Sequence, residues 1–368
     1  MQLDWGAIEA ELGAMLGDTS ELRLDRKRLE RNAREIAAGR LGPASNRLPR
    51  DPRPASRGDV DWLNELSKAR RDELRKLGES ALARGQVAGA VLNGGMATRF
   101  GGVVKGVVEA VDGRSFIEIK RDQVRRTGGA RFVIMNSFAT HAATLRHLDE
   151  AGIRDGVSSF LQSVSLRLTR EGELFRDAAG AISPYAPGHG DFVDAIRNTG
   201  TLSELREAGI EVLMLSNVDN LGADLDPCVV GYHLAHGRPL TVELSETLPG
   251  DVGGAPAWVD DRLEVVEGFR FPPDFDFARL PFMNTNTFVL SLELLEAEYP
   301  LTWFYVEKQV DGGIAVQLEQ LLGQVSAFVE TAYLASPRAD RDCRFFPVKT
   351  PADLESLRDD PDLRERLS

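Results

Sequence analysis

The chain has 368 residues, 42% hydrophobic and 27% charged, an ordinary globular mixture that excludes disordered, collagen-like and disulfide-scaffold classes. At about 150 residues per domain the length implies two to three domains. Lysine and arginine number 44 against 57 acids, a net charge of −13, so the overall field repels polyanions and argues against a nucleic-acid partner, while a small anionic ligand held by a few placed cations is allowed.

No stretch approaches the ~20 apolar residues of a membrane-spanning helix. Met1 to Trp5 lack the basic segment and apolar run of a signal peptide, so the sequence reads as cytoplasmic with no membrane partner. Cys228 and Cys343, the two cysteines, supply neither a disulfide framework nor a metal-ligand cluster.

In chain order, Leu3, Ile8, Leu12 and Leu16 fall near helical spacing, and residues 20 to 38 read as a charged helix. Its Arg23, Arg26, Lys27, Arg28 and Arg31 interleave with Glu21, Asp25, Glu30 and Glu35, the pattern of a solvated face. Residues 41 to 59, rich in Pro, Gly, Arg and Asp, cannot continue a helix and mark a linker or extended wrap. A third helix is expected over about 61 to 84, which makes residues 1 to 85 an N-terminal helical region.

From Val87 the pattern changes. Apolar runs at 87 to 92, 131 to 137 and 210 to 218 look like strands buried on both faces, and the segments 140 to 152 and 224 to 236 have helical length and spacing. This alternation predicts an α/β fold with a largely parallel central sheet over residues 86 to 335. In such sheets ligands bind beyond the carboxyl ends of the strands.

After the first strand comes Asn93-Gly94-Gly95-Met96-Ala97-Thr98-Arg99-Phe100-Gly101-Gly102, then Lys105. Glycines let backbone N–H groups approach a ligand, and Arg99 and Lys105 bring charge to phosphate oxygens. The pattern is neither the dinucleotide fingerprint nor a P-loop. After the third strand, Asp219 in Ser216-Asn217-Val218-Asp219-Asn220 is a hard oxygen ligand suited to Mg²⁺, or a cap for the helix starting near Asp224. Pro187-Gly188-His189-Gly190-Asp191 carries the one histidine outside a predicted helix, able to donate a hydrogen bond to a phosphorylated ligand. Asn284-Thr285-Asn286-Thr287 offers amides for sugar hydroxyls or an Asx turn entering a strand at 287 to 291, and Lys349 follows a short apolar strand near the C-terminus.

Taken together these stretches resemble the UDP-glucose pyrophosphorylase (UTP–glucose-1-phosphate uridylyltransferase) family. The resemblance rests on Leu92-Asn-Gly-Gly95 with Lys105, Met135-Asn-Ser-Phe138, Phe160-Leu-Gln162, Pro187-Gly-His-Gly-Asp191, Ser216 to Ala223, Asn284-Thr-Asn286, Gln317-Leu-Glu319 and Phe346-Pro-Val-Lys-Thr350, spanning about residues 90 to 354 in the family's order. It implies a three-layer, Rossmann-like nucleotide-diphospho-sugar transferase fold and the substrates UTP and glucose 1-phosphate. It implies that Leu92, Asn93, Gly94 and Gly95 lay their backbone against uracil, that Gln162 reads the base edge, and that Gly188 completes the nucleotide pocket. It further implies that Asn217, Val218 and Asp219 meet the nucleotide with Asp219 on Mg²⁺, that His189 and Asn286 bind the sugar phosphate, and that Lys105 and Lys349 hold phosphates. Arg99 joins this set from its charge and position.

The chain departs from the family at Ala97, where the family carries Gly, at Val104, where it carries Pro, and across Glu246 to Gly254, where a family lysine is missing. Residues 336 to 368 are expected to be a short C-terminal segment without the β-helix of eukaryotic members, so their oligomer is not carried over. The alternatives are a sister enzyme using N-acetylglucosamine or galactose 1-phosphate and a catalytically weak nucleotide-sugar-binding subunit.

Overall fold

Apolar runs six or seven residues long can be buried on both sides only when helices cover both faces of the sheet they form. The computed structural model describes residues 3–17, 20–97, 102–251, 253–311, 313–339 and 342–367. Its central sheet has eight strands: β1 (Asp61–Trp62), β2 (Val87–Asn93), β3 (Arg131–Asn136), β4 (Val157–Leu161), β5 (Val212–Asn217), β6 (Leu240–Glu246), β7 (Phe282–Ser291) and β8 (Thr331–Ser336). They lie in the order β1-β8-β6-β7-β5-β2-β3-β4. Seven strands run in one direction; β7 is antiparallel to both its neighbours. The largely parallel sheet expected from the alternation is therefore present, with one reversed strand inside it.

The helices are α1 (Trp5–Leu16), α2 (Arg26–Ala37), α3 (Lys68–Ala83), α4 (Phe116–Arg126), α5 (His141–Glu150), α6 (Phe192–Asn198), α7 (Thr201–Glu207), α8 (Pro227–His236), α9 (Pro351–Asp359) and α10 (Pro361–Leu367). Strand residues alternate between the faces: Ala88, Ala90 and Leu92 pack with Phe192 and Ile196 of α6 and Leu205 of α7. Val87 and Val91 pack on the other face with Leu74 of α3, Ile119 of α4 and Val229 of α8. This makes the three layers. Across α3 and α8 the approach is so close that a Cβ on Gly78 would lie 1.9 Å from the Pro227 carbonyl oxygen, and one on Gly231 1.8 Å from that of Leu74.

Residues before β2 are distributed over the molecule. Ile8 and Leu12 of α1 and Leu29 and Ile36 of α2 pack on Tyr305, Val316 and Leu318, part of the hairpin Phe304–Val310/Gly313–Glu319. The charged helix begins at Arg26, later than the spacing predicts, because the Asp25 carboxylate caps the Arg28 N–H and Leu24 instead bridges Val164. The Pro-rich segment wraps: Arg53 and Pro54 pair with Trp258 and Ala257, with the Arg53 guanidinium 5.1 Å and that of Arg57 3.9 Å from the ring centres of Trp258 and Trp62.

Two further sequence expectations are corrected. The helix expected from residue 61 starts at Lys68 behind its cap Ser67, because Trp62 is buried edge-on against Phe282 and draws residues 61–62 into the sheet beside β8. The strand expected before Lys349 is reduced to a single bridge between Pro347 and Asn220. Among the described residues no helix is long and apolar enough to cross a membrane.

Candidate active site

Because β2, β3 and β5 are parallel and in register, with Asn217 opposite Leu92 and Asn93 opposite Asn136, their carboxyl ends finish together. The loops that leave β2 and β5, together with Gln162 after β4 and the 186–189 loop, line a cavity of about 360 Å³. Leu92, Gly94, Gly95, Gln162, Gly188, His189, Asn217, Val218, Asp219 and Lys105 all line it. Ten of the expected positions thus meet in one space.

The turn after β2 is held by neutral groups. The Asn93 side chain, 1% exposed, donates to Asn136 Oδ1 at 2.7 Å and Thr144 Oγ1 at 2.9 Å, which turns it away from the cavity. Ser137 Oγ donates to the Gly94 carbonyl at 2.8 Å. A Cβ on Gly94 would sit 2.0 Å from Gln162 Nε2, and one on Gly106 would sit 2.3 Å from Asn93 Oδ1. Glycine at these places lets the loop carrying Lys105 close on the strand end and lets the Gln162 amide lie against the turn. Gln162 Oε1 is buried with no hydrogen-bond partner, an acceptor available to a ligand.

Gly188, at φ 90°, and Gly190 fit against the backbone of Gln320, where a Cβ would come within 2.4 Å and 2.6 Å. Pro187 and Gly190 exchange backbone hydrogen bonds with Gln320 at 2.8 Å each. His189 Nδ1 accepts the Leu322 N–H at 3.1 Å, which leaves the proton of the neutral ring on Nε2. Burial pushes its pKa down to about 4, so the ring is a neutral donor at physiological pH. The Asp191 carboxylate, raised in pKa by burial, accepts the Ser163 N–H at 2.6 Å and ties this loop to the residue after Gln162.

The turn after β5 is held by charge. Asp219 Oδ2 pairs with Lys105 Nζ at 2.5 Å, its carbonyl accepts the Val348 N–H at 3.1 Å, and Asn220 Oδ1 accepts the Phe346 N–H at 2.9 Å. Buried Arg344 bonds Glu243 at 2.7 Å and Asp224 at 2.6 Å. Burial acts to lower its pKa, and the two carboxylates outweigh that and raise it.

Besides Asn93, two expected residues among those described, Asn286 and Lys349, are not in the cavity lining. Asn286 has φ 57° at a bulge where Glu243 faces Thr287 and Leu244 faces Asn284. Its N–H is taken by Asn284 Oδ1 at 3.0 Å and its own amide donates to Asn217 Oδ1 at 2.8 Å, leaving Asn286 Oδ1 buried without a partner. The Asx turn and the inward-facing amide are thus both present. Lys349 is exposed, with its backbone N–H bonded to Asp353 at 2.8 Å. Arg99 lies outside the described residues.

Sequence reasoning missed Glu319, Met135 and Ala186, which also line the cavity. Glu319 and Met135 stand in quoted stretches, and Glu319 ends the hairpin strand that faces Gly188, a strand-end signal like the others.

A cavity at the carboxyl edge of a mostly parallel three-layer sheet, with glycine turns at one end and an acid–lysine pair at the other, is the ligand-binding arrangement of an open α/β protein. A family model described as UTP–glucose-1-phosphate uridylyltransferase matches residues 55–361, and the chain belongs to that family. It is 30% identical over 283 residues to the UTP–glucose-1-phosphate uridylyltransferase of Encephalitozoon cuniculi, covering 72% of this chain and 56% of that protein. The chain thus spans just over half the length of that relative. A point variant of UDP-glucose pyrophosphorylase from Leishmania major in complex with UDP-glucose superposes with a TM-score of 0.69 at 26% identity, covering 84% of this chain and 71% of that one. The uridine diphosphate N-acetylglucosamine pyrophosphorylase of Trypanosoma brucei shares the fold with a TM-score of 0.75 at 20% identity, covering 96% and 82%.

Proposed function

We propose that the chain transfers a uridylyl group from UTP to glucose 1-phosphate, giving UDP-glucose and pyrophosphate. The observation that carries this reading is that a buried amide with an unsatisfied acceptor, Gln162, and the Lys105–Asp219 pair line one cavity. A uracil edge offers an N–H donor between two carbonyls, which a glutamine amide can meet with one acceptor and one donor. The backbone of Leu92 to Gly95 takes the flat base, and Gly188, Asn217 and Val218 close the nucleotide pocket.

In the reaction a phosphate oxygen of the sugar phosphate attacks the α-phosphorus of UTP. That P–O bond forms as the bond to the β-phosphate breaks, and pyrophosphate leaves with the electron pair. Such transfers depend on alignment and charge neutralisation rather than on a protein nucleophile. Lys105 supplies a cation at the phosphates. Lys349 serves the same end, on a segment fastened to Asp219 through Val348, and Arg99 is assigned there from its charge. His189, as a neutral Nε2–H donor, and Asn286, through its free Oδ1, orient the sugar phosphate.

The donor set suits Mg²⁺ in one way. Among the described residues no three His, Cys, Asp or Glu gather as a protein cage, while Asp219 presents a single carboxylate, as at sites where the ion keeps waters and takes phosphate oxygens. Asp219 would hold it, and when bound the ion neutralises charge on the phosphate oxygens. These are soluble phosphate substrates, and the cytoplasm is the compartment we assign.

The test is pyrophosphate release with UTP, Mg²⁺ and a panel of glucose, galactose and N-acetylglucosamine 1-phosphates. Glucose 1-phosphate is expected to give the highest kcat/KM. A clear preference for another sugar would retire the glucose assignment, and tight UDP-glucose binding in calorimetry with no turnover on any sugar would retire the enzyme reading.

A further inference from the structure

The face of α4 that meets the sheet carries Phe116, Ile117, Ile119 and Val124, all buried, and among them a lysine, Lys120, 3% exposed. An ammonium costs several kcal/mol to bury, about enough that an apolar side chain would be favoured on packing alone. Its partners are specific. Lys120 Nζ donates to the Ala223 carbonyl at 2.7 Å and to Ser216 Oγ at 3.1 Å. Ser216 is the penultimate residue of β5 and Ala223 follows the turn, so the two acceptors bracket Asn217 to Gly222. Gln123, one helical turn further along α4, donates to the Leu221 carbonyl at 2.8 Å inside the same turn.

We propose that Lys120 is a positioning residue whose ammonium staples the two ends of the Asn217–Gly222 turn from beneath and so holds the Asp219 carboxylate against Lys105. The inference rests on the reading of Asp219 as a phosphate-side group of the active site. The Ala223 carbonyl is buried with its residue, and a buried carbonyl without a donor carries a free-energy cost that Lys120 removes. The apolar neighbours of Lys120 fix α4 against the sheet, so the ammonium is presented from a rigid element. Desolvation draws the pKa of Lys120 down to about 7 while Asp224 acts to raise it; with two acceptors to serve, the nitrogen can donate to both whether it is the ammonium or the neutral amine. A void of about 20 Å³ adjoins the side chain.

Lys120→Met keeps the volume and removes the donor; Lys120→Arg keeps a charged donor. In Lys120→Met we expect amide exchange over residues 217–223 to accelerate in the ligand-free protein, and kcat to fall about ten- to a hundredfold, the range for residues that orient a primary group. KM for UTP is expected to stay within about threefold, because the base-side turn is held separately. Lys120→Arg should recover part of both losses. A mere space-filling role predicts the reverse order, with methionine better tolerated than arginine.

The proposal is overturned if Lys120→Met leaves exchange over 217–223 unchanged, or keeps kcat within about twofold of the parent. Should Lys120→Met not fold, Ser216→Ala removes one acceptor and should accelerate exchange in the same segment more weakly; unchanged exchange there overturns the proposal equally. If the parent protein transfers uridylyl to no sugar phosphate, the functional reading fails by itself, and the exchange measurement still decides whether Lys120 holds the turn.

Discussion

The turns after β2 and β5 leave adjacent parallel strands and face the same cavity, yet they are secured by opposite means. The first depends on amides and clearance: Asn93 bonded to Asn136 and Thr144, Ser137 on the Gly94 carbonyl, and glycines where a Cβ would collide. The second depends on charge: Lys105 on Asp219, Lys120 beneath the turn, and Arg344 joining Glu243 to Asp224. Under the proposed function the contrast has a physical cause. A flat neutral base is recognised by close approach and a matched hydrogen-bond edge, where a charge adds little. A polyphosphate is recognised by charge, and a charged group keeps its aim only when the turn bearing it is anchored by interactions of comparable strength.

The largest expected effect is on the charged side. Lys105→Ala should lower kcat about a hundredfold or more, the loss found when a placed charge contact to the transition state is removed. Steady-state kinetics with UTP and glucose 1-phosphate check this, and turnover within about twofold of the parent would remove Lys105 from the chemistry. Next comes the neutral side. Gly94→Ala drives a methyl onto the Gln162 amide and should raise KM for UTP about ten- to a hundredfold with kcat within a few fold. A Cβ at Gly95 would meet no protein atom within 4 Å, so a KM increase in Gly95→Ala reports contact with the nucleotide alone. If Gly94→Ala lowered kcat and left KM unchanged, the division of labour between the two turns would be wrong.

The smallest effect concerns pH. His189 has a folded-state pKa near 4 against an unfolded value of 6.5, so between these values the unfolded chain binds a proton that the native protein refuses. Its contribution to stability is therefore complete above about pH 6.5 and is lost as pH falls toward 4, with a slope of up to about 1.4 kcal/mol per pH unit. Urea unfolding at pH 7, 6 and 5 of the parent and His189→Asn should show the shallower acid-side decline in the variant. Equal slopes would mean that the imidazole is hydrated and its Nε2 proton is not held for a ligand.

Much of the site was legible because its elements are local. The apolar runs mark β2, β3 and β5, and the residues just past them are the ones that meet. Gly94 and Gly95 punctuate the end of β2, while Gly188 and Gly190 mark a loop that leaves a short strand outside the central sheet. Other features depended on pairing across the chain. Asn93 reads as a pocket residue from its place beside two glycines, and only the presence of Asn136 and Thr144 turns its side chain inward. Trp62 joins the sheet because Phe282 lies behind it, which cuts short a helix that spacing alone extends to residue 61. Lys120 gave one faint signal, a lysine at a buried-face position of an amphipathic helix, and its partner Ala223 lies 103 residues away.

By itself the sequence determined three of the eight central strands, β2, β3 and β5, the residues that stand at their ends, and the family to which the chain belongs, because alternation, apolar runs and turn residues act over a few neighbouring positions. The tertiary structure decided how those ends are held: the Asp219–Lys105 pair across 114 residues, the bulge that turns Asn286 toward Asn217, and the buried cations Lys120 and Arg344. A polar side chain takes its role from what stands opposite it. Burial then makes that partner consequential, since an unpaired charge or carbonyl away from water carries a free-energy cost that local sequence cannot register.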